Sequence, residues 1–129
     1  MKGLRLYKKE KLCSPTAIDA LFARSGGASA ALSYPLRAVW RRREERRAEC
    51  PQFVVIVPKK RVRHAVDRVA LRRRIREAYR LNRALLEGAG RVDIAFVWVG
   101  ETTGRYSSIE RAMQRLLRRV NPPADESAQ

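Results

Sequence analysis

Two short apolar runs, FVVIV at 53–57 and IAFVWV at 94–99, bracket a long stretch whose apolar residues keep helical spacing. Bounded by Pro51 and Pro58, the first run reads as a buried strand. The second follows Gly88 and Gly90, and its unbroken apolarity asks for cover on both faces. Strand, long helix and strand in succession commit the chain to a small sheet with helices packed on it.

The intervening helix is two-sided. Eleven Lys or Arg residues against two acids fall between Lys59 and Arg83. At about 100° per residue, Arg68, Arg72, Arg83, Arg76, Arg80 and Arg73 occupy one continuous sector. Leu71, Ile75, Ala78, Asn82, Leu85 and Leu86 gather on another, with Tyr79 at its margin. Arg74 lies outside the basic sector, and Val69 puts an apolar side chain in the middle of it. Like charges four residues apart repel, so Arg68, Arg72, Arg76 and Arg80 cost the helix stability unless an anion from outside the chain meets them.

The whole chain agrees. Its 129 residues carry 29 Lys and Arg against 13 Asp and Glu, a formal net charge of +16. Such a balance points to nucleic acid, bound through phosphates with strong salt dependence. Arg far outnumbers Lys, which favours bidentate phosphate contacts and stacking on bases. No window reaches the length of a membrane span, and MKGLRLYKKEKL lacks an apolar core of signal-peptide length. The expected location is the cytoplasm. Cys13 and Cys50, with His64 as the one histidine, form no zinc or disulfide pattern and are read as reduced thiols.

Elsewhere, Ser14 and Pro15 open a short helix with Ile18, Leu21 and Phe22 on its apolar side, stopped at Gly26-Gly27. LRAVWR places Leu36, Ala38 and Trp40 on one side of a strand and Arg37, Val39 and Arg41 on the other. Residues from Arg41 to Pro51 read as a charged loop. Ser107 and Glu110 are expected to form a capping box opening a last helix with Ile109, Met113, Leu116, Leu117 and Val120 inward. The expected fold is α+β, an α/β sandwich of a small central sheet with helices on one side. It spans residues 1–120 as one domain, followed by a disordered tail at 121–129.

From PLRAVW through VPKKRVRHAVDRVALRRRIREAYRLNR to the last helix, the chain resembles the protein component of bacterial ribonuclease P. The family's signature runs from a Lys-Lys pair through an Ala-Val step to Arg-Asn-Arg, an apolar residue, two basic residues and an Ile-Arg-Glu-Ala-Tyr-Arg-like run. Lys59-Lys60, Ala65-Val66, Arg68, Leu71, Arg72-Arg73 and Ile75 to Arg80 hold those places. Val69 and Ala70 depart from it, standing where the family has Asn and the second Arg.

The resemblance implies that the long basic helix makes a left-handed βαβ crossover, in a ribosomal-protein-S5-domain-2-like fold. It also implies a subunit that joins a catalytic RNA to remove the 5′ leader of precursor tRNA, with Mg²⁺ held by the RNA and no cofactor bound by the protein. By match to the signature, Lys59, Lys60, Arg68, Arg72, Arg73 and Arg76 are expected to contact the catalytic RNA. Arg61 and Arg80 join them on charge and position. The leader is expected in a cleft between the first helix and the sheet, where Phe22, Leu36, Ala38 and Trp40 hold the corresponding places beside a cationic rim.

No catalytic residue is expected in the protein. Its acids are scattered, as Asp19, Glu44, Glu45, Asp67, Glu77 and Asp93 illustrate, whereas a protein metallonuclease needs converging carboxylates. His64 alone cannot serve as both acid and base. A ribosomal-type structural protein shares the charge but not the signature between Lys59 and Arg80. A DNA-binding protein is expected to show a helix-turn-helix pair or a dimerisation helix.

Overall fold

The computed structural model describes residues 10–12, 15–23, 27–42, 50–100 and 106–121. The expected cap at Ser14, the stop at Gly26, most of the charged loop and the tail beyond Asn121 lie outside the described residues.

Seven elements follow in order: α1 Pro15–Phe22, β1 Ser29–Ser33, β2 Leu36–Arg42, β3 Gln52–Ile56, α2 Ala65–Asn82, β4 Val92–Trp98 and α3 Tyr106–Val120. The strands form one open sheet in the order β1-β2-β4-β3. β1 and β2 pair antiparallel, as do β2 and β4. β3 and β4 are parallel neighbours, so α2 crosses over between them. The outer edge of β3 is partly covered by the segment before α1, where Leu12 N–H donates to the Phe53 carbonyl at 2.8 Å.

β1 is an element that the sequence pattern does not announce. Its residues, SAALS, are small, mostly exposed and poor in β-branched or aromatic types. The strand exists because the Tyr34–Pro35 turn folds it back along β2, whose free edge supplies hydrogen-bonding partners.

Helices cover both faces of the sheet, which corrects the expectation of helices on one side. Under α2 and α3 lies the larger core, with Leu36 and Ala38 from β2, Phe53 and Val55 from β3, and Ile94, Phe96 and Trp98 from β4. Under α1 lies a smaller one of Leu12, Ala17, Leu21, Val39 and Ala95. β4 is central and lies beneath both, which is why its side chains are apolar without alternation.

α2 and α3 pack side by side. Asn82, at an apolar position of the α2 pattern, is satisfied there: its amide nitrogen donates to Ala78 O at 2.8 Å and to Glu110 at 3.3 Å. Its oxygen accepts from Gln114 at 3.0 Å. Glu110 thus turns to α2, and the expected capping box with Ser107 is not made; α3 begins at Tyr106, so Ser107 is already helical. After Asn82 the chain tightens into a 3₁₀ turn over Arg83–Leu86 and leaves through Gly88, whose φ of 82° a side chain would resist. Arg83, grouped with the basic sector by helical spacing, instead clasps Glu10, its Nη1 donating to both carboxylate oxygens at 2.8 and 2.7 Å. The pair is largely buried, so losing either partner would strand a charge at a cost of about 3 kcal/mol.

Candidate nucleic-acid interface

The two-sided design of α2 is realised in the fold. Leu71, Ile75, Ala78 and Tyr79 are buried to within 1 % of complete. Tyr79 stacks on Phe53 at 3.9 Å between centroids and meets Phe96 edge-on at 5.9 Å. Burial, reinforced by the nearby Glu10 carboxylate, pushes its phenol far above the usual range, so Tyr79 is a neutral anchor. Locked on this side, the helix holds its opposite side at a fixed angle to solvent.

That opposite side carries Arg73 and Arg76 exposed and Arg72 half-buried. Among the described residues, Arg72, Arg73 and Arg76 have no acid partner. Lys59, Lys60 and Arg61 continue the charge on the exposed loop leading from β3 to α2. His64 sits exposed at the N-cap position and makes no capping bond with its side chain.

Three of the expected contacts have duties inside the protein. Arg68 Nη1 donates to Val62 O at 3.0 Å and Arg63 O at 2.8 Å, fastening the loop to the first turn of α2. Arg61 donates to Val99 O at 3.0 Å, tying the same loop to the end of β4. Arg80 pairs with Glu77, Nε donating to Oε2 at 3.1 Å, and this bond holds the Glu77 carboxyl below its ordinary range. Val69, where the family has Asn, is 49 % exposed and Val66 is 79 % exposed, so two apolar side chains stand among the arginines.

The expected leader-binding set is not brought together. Leu36 and Ala38 are fully buried and Trp40 packs on the same core, all on the face beneath α2 and α3. α1 lies on the other face. Of the four residues only Phe22, 45 % exposed at the end of α1, is on the α1 side of the sheet. Alternation along β2 separates two sides without telling which helix covers each. The larger, more apolar side went to the thicker core.

The α1 side of β2 carries Arg37, Val39 and Arg41. Val39 and Ala95 are covered by α1. The next cross-strand row is Leu32, Arg37, Val97 and Ile56, one residue from each strand. Leu32 and Arg37 are exposed, and Val97 and Ile56 are half-buried. Here an apolar floor crosses the whole sheet with a guanidinium group standing on it. Arg37 is the one charged residue of this row, and in the sequence its charge read as the outward side of a strand.

The family model for Ribonuclease P matches residues 6–121 of this chain. The chain belongs to the ribonuclease P protein family. The ribonuclease P protein component of Porphyromonas gingivalis is 38 % identical over 128 residues, covering 95 % of this chain and 91 % of that protein. The ribonuclease P protein from Thermotoga maritima superposes with a TM-score of 0.69 at 16 % identity, over 85 % of this chain and 96 % of that one. That from Staphylococcus aureus gives 0.63 at 14 % identity, over 84 % and 93 %. The four-stranded open sheet with helices packed on it is therefore the architecture of ribonuclease P proteins.

Proposed function

We propose that this protein is the RNA-binding subunit of ribonuclease P, acting with a catalytic RNA to hydrolyse one phosphodiester bond and free the 5′ leader of precursor tRNA. The observation that carries the reading is the α2 face. Its buried side fixes the helix, and Arg72, Arg73 and Arg76 point outward without an acid among the described residues. Phosphates of the catalytic RNA satisfy them, with Lys59 and Lys60 extending the contact along the loop. Arg68 and Arg61 hold that loop in place.

The leader lies along the row of Leu32, Arg37, Val97 and Ile56, beside Phe22. Single strands bind on apolar or aromatic floors next to cations. Mature tRNA lacks the leader, so this grip favours precursor over product. Bond hydrolysis belongs to the RNA and the Mg²⁺ it holds. Among the described residues, no three His, Cys, Asp or Glu side chains gather in a way suited to a metal ion. The charge of +16 offsets phosphate repulsion within the RNA and lowers its requirement for Mg²⁺. We place the protein in the cytoplasm, with neither DNA nor membrane as a partner; no helix among the described residues is long and apolar enough to cross a membrane.

The test is cleavage of 5′-labelled precursor tRNA at low Mg²⁺, with the protein, a bacterial ribonuclease P RNA, or both. Cleavage at the mature 5′ end only with both present is the expected result. Cleavage by the protein alone would overturn the assignment of chemistry to the RNA. No stimulation of the cognate RNA would reduce the protein to a structural RNA binder.

A further inference from the structure

The inner side of α3 is fully committed. Ile109, Ala112, Met113, Leu116, Leu117 and Val120 all pack into the larger core. Its outer side presents Arg111, Arg115, Arg118 and Arg119, all exposed. Between α3 and the β1–β2 hairpin runs a groove of about 650 Å³, with Leu32, Ser33 and Tyr34 on one wall and Arg115, Arg118 and Arg119 on the other. No acidic side chain lines it among the described residues.

Arginines spaced at i, i+3 and i+4 on one helix repel each other. Here no described carboxylate relieves them. Across the groove from them, Tyr34 is 68 % exposed, so an aromatic ring is left in water at the rim of a cationic groove. The combination discriminates between anions. An acidic peptide would satisfy the guanidinium groups and leave the ring idle. A single-stranded nucleic acid uses both, phosphates on the arginines and a base on the ring.

We propose that this groove is a second RNA site, taking a short single-stranded segment with its phosphates on Arg115, Arg118 and Arg119 and a base stacked on Tyr34. The inference rests on the RNA-binding reading above and adds a surface to it. α3 lies between the groove and α2, to which it is joined through Asn82, Glu110 and Gln114. RNA held on α2 therefore leaves the groove open to another strand.

The experiment uses the full chain and a fluorescent single-stranded oligouridylate of about ten nucleotides, within the site size of such grooves. Binding is followed by anisotropy across a salt series. The combined variant Arg115→Gln, Arg118→Gln, Arg119→Gln is expected to lose affinity at least about tenfold, with the salt slope reduced by about 2 for three lost phosphate contacts. Tyr34→Ala is expected to weaken binding about tenfold at an unchanged slope, and Tyr34→Phe to restore it.

Arg73→Gln, Arg76→Gln serves as the comparison. If that variant loses binding and the α3 variant does not, the groove is no RNA site. If neither loses binding, the RNA-binding reading of α2 fails as well. A glutamate-rich peptide that competes for the three arginines regardless of Tyr34 would replace RNA as the occupant and overturn the proposal. Ultraviolet crosslinking of the unaltered chain needs no variant to fold. Adducts on the Tyr34 side chain itself support the site, and adducts confined to α2 and its loop overturn it.

Discussion

Arg68, Arg73 and Arg80 belong to one basic side of α2 and are used in three ways. Arg73 is open to solvent, Arg68 bonds two carbonyls of the loop at 62–63, and Arg80 is held by Glu77. Charge alone does not distinguish them. Arg68→Ala is expected to free the 59–63 loop, seen as faster amide hydrogen exchange there, and to weaken RNA binding through loss of order at Lys59 and Lys60 as well as loss of charge. Arg68→Lys should recover the charge but not the full order, because its ammonium sits one bond closer to the backbone than the Nη1 that reaches both carbonyls. Equal exchange rates in Arg68→Ala and the parent would remove the positioning role. Glu77 acts in the opposite sense, restraining Arg80. Its carboxyl is held below the ordinary range by that bond, so the pair is intact above the usual carboxylate pKa and is lost only as pH falls through the lowered value. At neutral pH Glu77→Gln should therefore loosen the hold on Arg80, raising affinity and steepening the salt slope by at most about 0.9 on duplex RNA, taking the B-DNA coefficient as a guide. A shallower slope would mean that Arg80 already contacts RNA in the parent.

Elements differ in how far they can be read before folding. α2 was legible because eighteen residues repeat one period, and its buried positions Leu71, Ile75, Ala78 and Tyr79 are those the stripe names. β4 was legible as a strand buried on both faces, a fact that itself calls for helices on both sides of the sheet. β1 was not, since SAALS carries no strand preference of its own and forms only against β2. The side of β2 that faces α1 was not either: alternation gives two sets of residues, and only tertiary packing assigns Leu36 and Ala38 to the core and Arg37 to the open face. Gly100, just past the end of β4, shows the same dependence. A Cβ there would lie 2.8 Å from a ring carbon of Trp98, which is almost fully buried and has no room to retreat. Gly100→Ala should therefore destabilise the protein by about 2 kcal/mol, measured as a lower urea midpoint at an unchanged m-value. A midpoint equal to the parent's would show that the indole can shift.

At the scale of the molecule, the sheet separates the jobs. Its α2 and α3 side bears arginine on the outer faces of both helices, while its α1 side offers an apolar floor with Arg37. A net charge of +16 is thus spread over more than one surface of the molecule. This spread sets the expected behaviour of Arg73→Gln, Arg76→Gln. Both side chains are exposed and lack acid partners among the described residues, so the fold should be as stable as the parent or slightly more so once like charges are removed. Two lost phosphate contacts should lower the salt slope for duplex RNA by about 1.8, again taking the B-DNA coefficient as a guide. In the holoenzyme the same loss should appear as a higher Mg²⁺ concentration at half-maximal cleavage, because divalent cations substitute for the missing protein charge. At high Mg²⁺ the variant should cleave at the parent's rate. An unchanged Mg²⁺ midpoint alongside a lower salt slope would mean that α2 anchors the subunit without relieving repulsion in the RNA, leaving the leader contact as its contribution to the reaction.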